Sequence, residues 1–489
     1  MTTTSRRRLI LLAVLIVAGL LLIPIPEPDP PVPASRRPFV WNQDERWRGL
    51  ESKFRELRPV GCSGLAEPIE EALGDADSLM QAASAASLGP DAPVLAEIED
   101  LTFRLGPMIA ACPEHAPEYL GRVAQLRSIV KDQSLSWDLG VQTARDRLYR
   151  LIYGGRAASE EILLQLPSDS LGPLLLCDDE PSRTPAATVR GVVIHSGDIL
   201  VSRGGAPTSA LIARGSDYPG NFSHVALAYV DSATGIPSLV ESHIERGVTV
   251  SSVADYLADV KLRVMVLRVR TDLPPIVADP MIPHRAAARA VAIARQRHVP
   301  YDFAMDRENS DAMFCSEVVA TPYKEEGLEL WRGLSTISSP GVASWLAAFG
   351  VRNFETLEPS DIEYDPQLRV VAEWRDPETL FKDHVDNAVI DAMLEGAERG
   401  DRLTYDWFQL PLARVAKAYS VLLNLFGKEG PVPEGMSAAA GLKNRSLSAA
   451  HATIKEGVLH RAESFRREQG YLPPYWELLS MARLEKRAR

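Results

Sequence analysis

Cysteine is scarce in this chain: four residues in 489. That excludes a small disulfide-stapled scaffold and makes the placement of each thiol informative. Basic excess is missing too. The formal net charge is −12, which argues against a nucleic-acid binder. There is no G-x-S-x-G elbow, no phosphate-binding P-loop and no G-x-G-x-x-G fingerprint, so nothing signals a serine-elbow hydrolase or a nucleotide site. Nine histidines are present, none in an H-E-x-x-H pair or a tight sequence cluster. Asp302, Asp306, Glu308 and Asp311 invite a calcium reading, but they lack EF-hand spacing and its mid-loop glycine. The expectation is therefore no metal and no cofactor.

A long apolar run is present at the start. Arg6, Arg7 and Arg8 precede Leu9 to Ile23, fifteen residues without a polar side chain. The arginines should stay cytoplasmic, so the rest of the chain is expected to be exported. The run suits a signal h-region and is short for a span. The small-x-small site at Val32 to Ala34 is distant and flanked by proline, which favours a retained membrane anchor over a cleaved signal. Seven prolines between Pro24 and Pro38 predict a stiff spacer. At ~3.1 Å per residue it would hold the body roughly 40 Å from a membrane. Export permits disulfides. Cys62 and Cys112 share one early region and are candidates to pair, leaving Cys177 and Cys315. Spacing alone does not fix the connectivity.

At 46 % hydrophobic and 24 % charged the composition is that of a globular chain. The texture divides it. Residues 1–25 are the signal or anchor segment and 26–44 the proline-rich linker. Residues 45–185 carry helical periodicity, as in Ile69, Leu73, Ala76, Met80 and Ala83. From 186 to 376, short Val/Ile/Leu-rich stretches such as "FSHVALAYVD", "PSLVESH" and "LRVMVLRVR" read as strands, with "SSVADYLADV" and "PHRAAARAVAIARQRH" as helices. Helical patterns return over 377–489. One has a stripe of Leu412, Val415, Tyr419, Leu422 and Leu423.

"DAMFCSEVVATPY" places Cys315 where a helix is expected to begin. A thiol there feels the positive end of the helix dipole, which favours the thiolate. A nucleophile needs a base and a group to orient that base. His224 stands in a predicted strand and shares a face with Ala226 and Ala228, whose small side chains leave room beside it. On the neighbouring strand Glu241 and His243 share a face by period two, and either could hold the imidazole.

Taken in order, "GDILVSRG", "FSHVALAYVD", "VESH", "PYDFAMD" and "FCSEVV" resemble the permuted papain-like enzymes of the YiiX/YaeF type, relatives of the NlpC/P60 cysteine peptidases. His224 precedes Cys315, the order that circular permutation implies. The resemblance implies an α+β fold: a circularly permuted papain-like (NlpC/P60) domain flanked by N- and C-terminal helical regions. It implies Cys315 as nucleophile, His224 as base and Glu241 as the third catalytic residue, with Gly197 and Asp198 forming a structural opening turn. Two departures stand out. Phe314 replaces the tyrosine common before the nucleophile, and Pro322 should kink or end the nucleophile helix. The implied activity is thiol-dependent hydrolysis of an amide or ester, on a cell-wall peptide or a lipid-linked acyl substrate. An acyltransferase of the lecithin:retinol acyltransferase type, or an inactive scaffold with partner-binding arms, are the alternatives.

Overall fold

A computed structural model of the chain describes residues 19, 21, 23, 30–167, 171–309, 311–333, 335–426 and 428–488. The arginine cluster and most of the apolar run that follows it lie outside them. Among the described residues no helix is long and apolar enough to cross a membrane.

The early periodic segments fold as α1 (Asp44–Leu57), α2 (Gly61–Ala85), α3 (Pro93–Ala111), α4 (Ala116–Ser134) and α5 (Gln142–Gln165). Their apolar stripes meet: Ile69 and Leu73 of α2 pack on Leu101, Leu105 and Ile109 of α3. Cys62 and Cys112 form a disulfide, which ties the start of α2 to the residue that follows α3. The 50-residue separation it closes is worth about 4 kcal/mol on the chain-entropy relation.

The middle of the chain gives β1 (Leu174–Leu176), β2 (Ala186–Val189), β3 (Val192–His195), β4 (Ile199–Gly204), α6 (Pro207–Arg214), β5 (His224–Val230), β6 (Pro237–His243) and β7 (Gly247–Ser252). It continues through α7 (Val253–Ala258), β8 (Lys261–Val269), α8 (Pro274–Ala278), α9 (Ile282–Gln296), α10 (Glu317–Glu325), β9 (Ser335–Thr336), α11 (Pro340–Phe349), β10 (Glu355–Thr356) and β11 (Leu368–Trp374). Seven strands form one antiparallel sheet in the order β1-β11-β8-β4-β5-β6-β7. β1 precedes the stretch that reads as strands from sequence. It is only three residues long and its pattern has no alternation to see.

The sheet buries both faces. Val225, Leu227, Val240 and Met265 pack under Ala286 and Ala290 of α9 and Val318 and Val319 of α10. Ala226, Ala228, Leu239 and Val266 pack on the other face against Ile194 of β3 and Tyr256 of α7. Gly197 opens β4 at φ +100°, and a Cβ there would lie 2.3 Å from Pro283; only glycine fits. Asp198 accepts from the His195 N–H and pairs with Arg268, so the opening turn is structural. α10 runs through Pro322 and ends at Glu325. The proline therefore does not end the helix at its own position.

The last part is α12 (Pro377–Glu398), α13 (Leu410–Asn424), α14 (Ala438–Gln469) and α15 (Tyr475–Arg487). Val385, Val389 and Met393 of α12 pack on Leu447 and Ile454 of α14 and Leu478 of α15. A buried ionic network joins α5, the sheet and α12: Arg263 pairs with Glu160 and Asp383, Arg203 with Asp383, and His384 with Glu160.

The stripe on α13 is turned outward: Leu412, Val415, Tyr419 and Leu422 are all exposed. One sequence expectation changes: the end of the proline-rich segment, residues 34–39, does not stand off from the body. Ala34 N–H donates to the Ile337 carbonyl at 3.0 Å, Arg36 N–H to Ser338 Oγ at 3.2 Å and Phe39 N–H to the Asp217 carbonyl at 2.8 Å. A polyproline strand leaves its backbone groups free for such bonds, and the body offers partners.

Candidate active site

β5 and β6 bring the strand histidine and the glutamate together. The register pairs Ala226 with Glu241, so Glu241 lies diagonally from His224 and reaches it past the small Ala226 side chain. His224 Nε2 and Glu241 Oε2 are 2.8 Å apart in a hydrogen bond. His243 Nε2 stands 3.2 Å from the other carboxylate oxygen, outside hydrogen-bond geometry. Of the two groups left open by period two, Glu241 is the one that holds His224.

The electrostatics give each group a definite state. Burial lowers the His224 pKa and outweighs the pull of Glu241, so the ring is neutral at neutral pH. Burial would raise the Glu241 pKa, but the His224 hydrogen bond and the nearby His243 imidazole outweigh it and hold the carboxyl far below the usual range. An ionised Glu241 accepts the Nε2 proton, which leaves the lone pair on Nδ1.

Cys315 lies two positions before the first residue of α10, with Ser316 as the N-cap residue. It is buried and unbridged. Ser242 Oγ donates to the Met313 carbonyl at 2.7 Å and so fixes the approach segment to β6. Burial pushes the Cys315 thiol up to about 12, against the backbone N–H of Val225 and the hydroxyl and N–H of Ser316, which favour the thiolate. Val225 precedes the first ladder pair of β5 with β6, Ala226 with Glu241, so its N–H is available to the sulfur. The Ser316 hydroxyl is fully buried with no nitrogen or oxygen partner.

The thiol and the imidazole share no hydrogen bond in this structure. Alternation places His224 on the Ala226 face of the sheet, whereas α10 packs on the Val225 face. The two groups approach β5 from opposite sides at its first residue. Catalytic hydrogen bonds are often long in a substrate-free enzyme and tighten in the complex.

A cavity of about 60 Å³ adjoins Cys315, lined by Tyr301, Phe314, Leu346, Glu358 and Met436 among others. Phe314 presents no hydroxyl there. Glu358 was not singled out from sequence, where it is one acid in "LEPSD". Its carboxyl is buried with Oε2 unpartnered, and burial pushes its pKa to about 8, with Asp361 adding to the rise. It is a neutral acid at neutral pH. A second cavity, of about 630 Å³, is lined by Trp41, Trp47, Phe103, Tyr153, Tyr475 and Trp476 among others. α6 and α11 stand between the two: Leu211 and Leu346 line the small one, Arg214 and Val342 the large one.

Two metal readings can be compared with the geometry. In the acidic loop, Asp302 accepts the N–H groups of Ala304 and Asp306, and Asp306 that of Glu308, so those carboxylates hold the loop's own backbone. His224, Glu241 and His243 do place three possible ligand atoms within 4.8 Å of one another. Sequence spacing hid this group because it is built across two strands.

Residues 193–372 match the family described as permuted papain-like amidase enzyme, YaeF/YiiX, C92 family. This segment is a domain of that family. The α+β architecture and the His-before-Cys order are those of a permuted papain-like domain, with helical regions before and after it. The family is one of amidases, which makes amide-bond hydrolysis the general activity to account for. No curated protein and no solved structure matches the chain.

Proposed function

We propose that the domain cleaves amide bonds through a Cys315 acyl-enzyme. The observation that carries this reading is the His224–Glu241 bond, which fixes the imidazole as a neutral base with Nδ1 free. His224 Nδ1 takes the thiol proton as the Cys315 sulfur bonds to the carbonyl carbon. The carbonyl oxygen becomes an oxyanion facing the Ser316 hydroxyl and the N–H groups around Cys315. The tetrahedral species collapses as His224 gives its proton to the departing amine. His224 then removes a proton from water, which attacks the thioester and releases the acid and the thiol. The substrate class is a cell-wall peptide or a lipid-linked acyl amide, in an exported and membrane-anchored setting.

A fluorophosphonate-free thiol probe, such as an acyloxymethyl ketone, tests this. Labelling at Cys315 that disappears in His224→Ala supports the reading. Slow labelling of Cys177 and Cys315 alike, unchanged in His224→Ala, refutes it. The protonated resting thiol favours one other reading, a papain-like scaffold whose arms bind a ligand in the aromatic cavity; that same refuting result would support it.

A further inference from the structure

α13, together with the 3-10 turn before it (Trp407–Gln409) and the turn after it, exposes an unusual face. Phe408, Leu412, Val415, Tyr419, Leu422 and Phe426 follow one another at steps of four, three, four, three and four residues, which is one side of a helix. Each is more than half exposed, from 53 % at Leu422 to 74 % at Leu412. Trp407 and Leu425 widen the stripe, at 67 % and 77 %. The opposite side of the helix is seated on the body. Leu410 packs on Ala438, Ala439 and Leu442, Ala416 on Val432 and Met436, and Ser420 Oγ accepts the Val432 N–H at 2.9 Å. The exposed face is thus held in place rather than loosely attached. A continuous, rigidly presented apolar stripe marks an interaction surface.

Three features say what covers it. The Arg414 guanidinium on this helix donates to the carbonyls of Leu21 at 2.7 Å and Ile23 at 2.6 Å. Those are the last residues of the fifteen-residue apolar run, so α13 lies where that run ends. The proline segment behind it is bonded to the body at residues 34, 36 and 39, which returns the chain to the body a short way after that run. The helix itself has no carboxylate; its Lys417 donates to the Pro433 and Glu434 carbonyls on the body side, and the exposed side carries Trp407, Phe408 and Tyr419, the aromatic types that settle at a lipid–water boundary. An aromatic-rimmed amphipathic helix without acidic residues, beside an apolar run, suits a bilayer surface.

We propose that α13 is a lipid-docking helix that lays its Phe408–Phe426 stripe on the bilayer next to the N-terminal apolar run. The inner side of the same helix holds Met436, which lines the Cys315 cavity, so docking sets that cavity close to the lipid surface. The docking itself does not depend on the hydrolase reading.

The full chain should be incorporated into vesicles of phosphatidylethanolamine and phosphatidylglycerol with brominated acyl chains. Subtracting the emission of Trp407→Phe isolates Trp407. We expect Trp407 to be quenched several-fold by the brominated lipid. A Leu412→Asp, Leu422→Asp variant, changed only at exposed positions, should lose most of that quenching while staying vesicle-bound through its N-terminal run. Unquenched Trp407, or equal quenching in the double variant, overturns the proposal. So does shielding of Trp407 from aqueous iodide without vesicles, which would mean that a second copy or the chain's own N-terminal segment covers the stripe. Free iodide access without vesicles, together with lipid quenching in them, establishes docking even if the double variant fails to fold.

Discussion

Among the described residues, two histidines are hydrogen-bonded to a buried glutamate, His224 to Glu241 at 2.8 Å and His384 to Glu160 at 3.0 Å. Their surroundings give them opposite characters. Around His384, burial works against charge, but the Glu160 hydrogen bond and the Glu161 and Glu160 charges outweigh it and raise the pKa. Glu160 also meets Arg263, and Arg156 lies 3.9 Å from it. That pair is a junction of an ionic network that clamps α5 and α12 to the sheet. Around His224, burial wins and the pKa falls. Glu241 meets no guanidinium, only two imidazoles. A bonded His–Glu pair is therefore not a signature by itself. What distinguishes His224 is a ring held neutral by burial, the state that the proposed base requires.

The largest effect that separates the pairs is on rate. Cys315→Ser and His224→Ala should each lower amide turnover by roughly 10⁴-fold or more, and the double variant should lose little beyond either one, as expected of groups acting as a unit. Stability should change by less than about 1 kcal/mol in Cys315→Ser, because the hydroxyl nearly matches the thiol in size. Steady-state kinetics and thermal melting check both. Full activity in the serine variant would dissolve the distinction between the two pairs.

Next comes the carboxylate. Glu241→Gln replaces an acceptor-only carboxylate with an amide that can also donate, so the His224 tautomer is no longer fixed; the corresponding change in a serine triad costs about 10⁴ in rate. His243→Ala removes a group outside hydrogen-bond geometry and should cost less than about tenfold. The reverse order of effects in turnover measurements would make His243 the orienting group. On the other pair, Glu160→Gln takes the bonded anion from buried His384 and leaves buried Arg263 with Asp383 alone. Breaking a buried pair costs about 3–5 kcal/mol, so chemical denaturation should show that loss while turnover per folded molecule stays near normal.

The two pairs also differ in how far sequence could reach them. The His224–Glu241 bond was half legible: period-two alternation put Glu241 and His243 on one face and left the choice between them open, while Ala226 and Ala228 advertised the space beside His224. The Glu160–Arg263–Asp383–His384 network was not: its members come from α5, β8 and α12, and nothing local predicts which buried charges will meet. The stripe on α13 was seen as a stripe, but periodicity does not say whether an apolar face meets a core or solvent. The β1 strand was too short to read, and the Glu358 carboxyl became significant only when the fold set it beside Cys315. The proline segment misled for a physical reason. A proline-rich stretch leaves its backbone groups free to bond, and the body supplied partners for residues 34–39.

Glu358 sharpens the contrast on the thiol side. Its anion, formed above a pKa of about 8, raises the Cys315 pKa and so disfavours the thiolate. Glu358→Gln should speed iodoacetamide alkylation of Cys315 a few-fold at pH values above that titration and change it little below. An equal effect at all pH values would mean that Glu358 acts through packing.

The smallest effect is a difference in pH dependence, and its sign differs between the pairs. His384 has a raised pKa in the folded chain, so the native state binds its proton more tightly than the unfolded one. Its contribution is full below the unfolded value of about 6.5 and is lost as pH climbs through the raised folded value. His224 has a lowered pKa, so the unfolded state is the better proton acceptor, and stability falls as pH drops below about 6.5. Many other groups titrate, so the informative quantity is the wild type minus the variant. Urea unfolding of wild type and His384→Asn across this range should give a difference that shrinks as pH rises. The same comparison with His224→Asn should give the wild type its greatest relative disadvantage on the acid side. If both differences run in the same direction, the two imidazoles share one protonation state, and the contrast that singles out His224 as a base is gone.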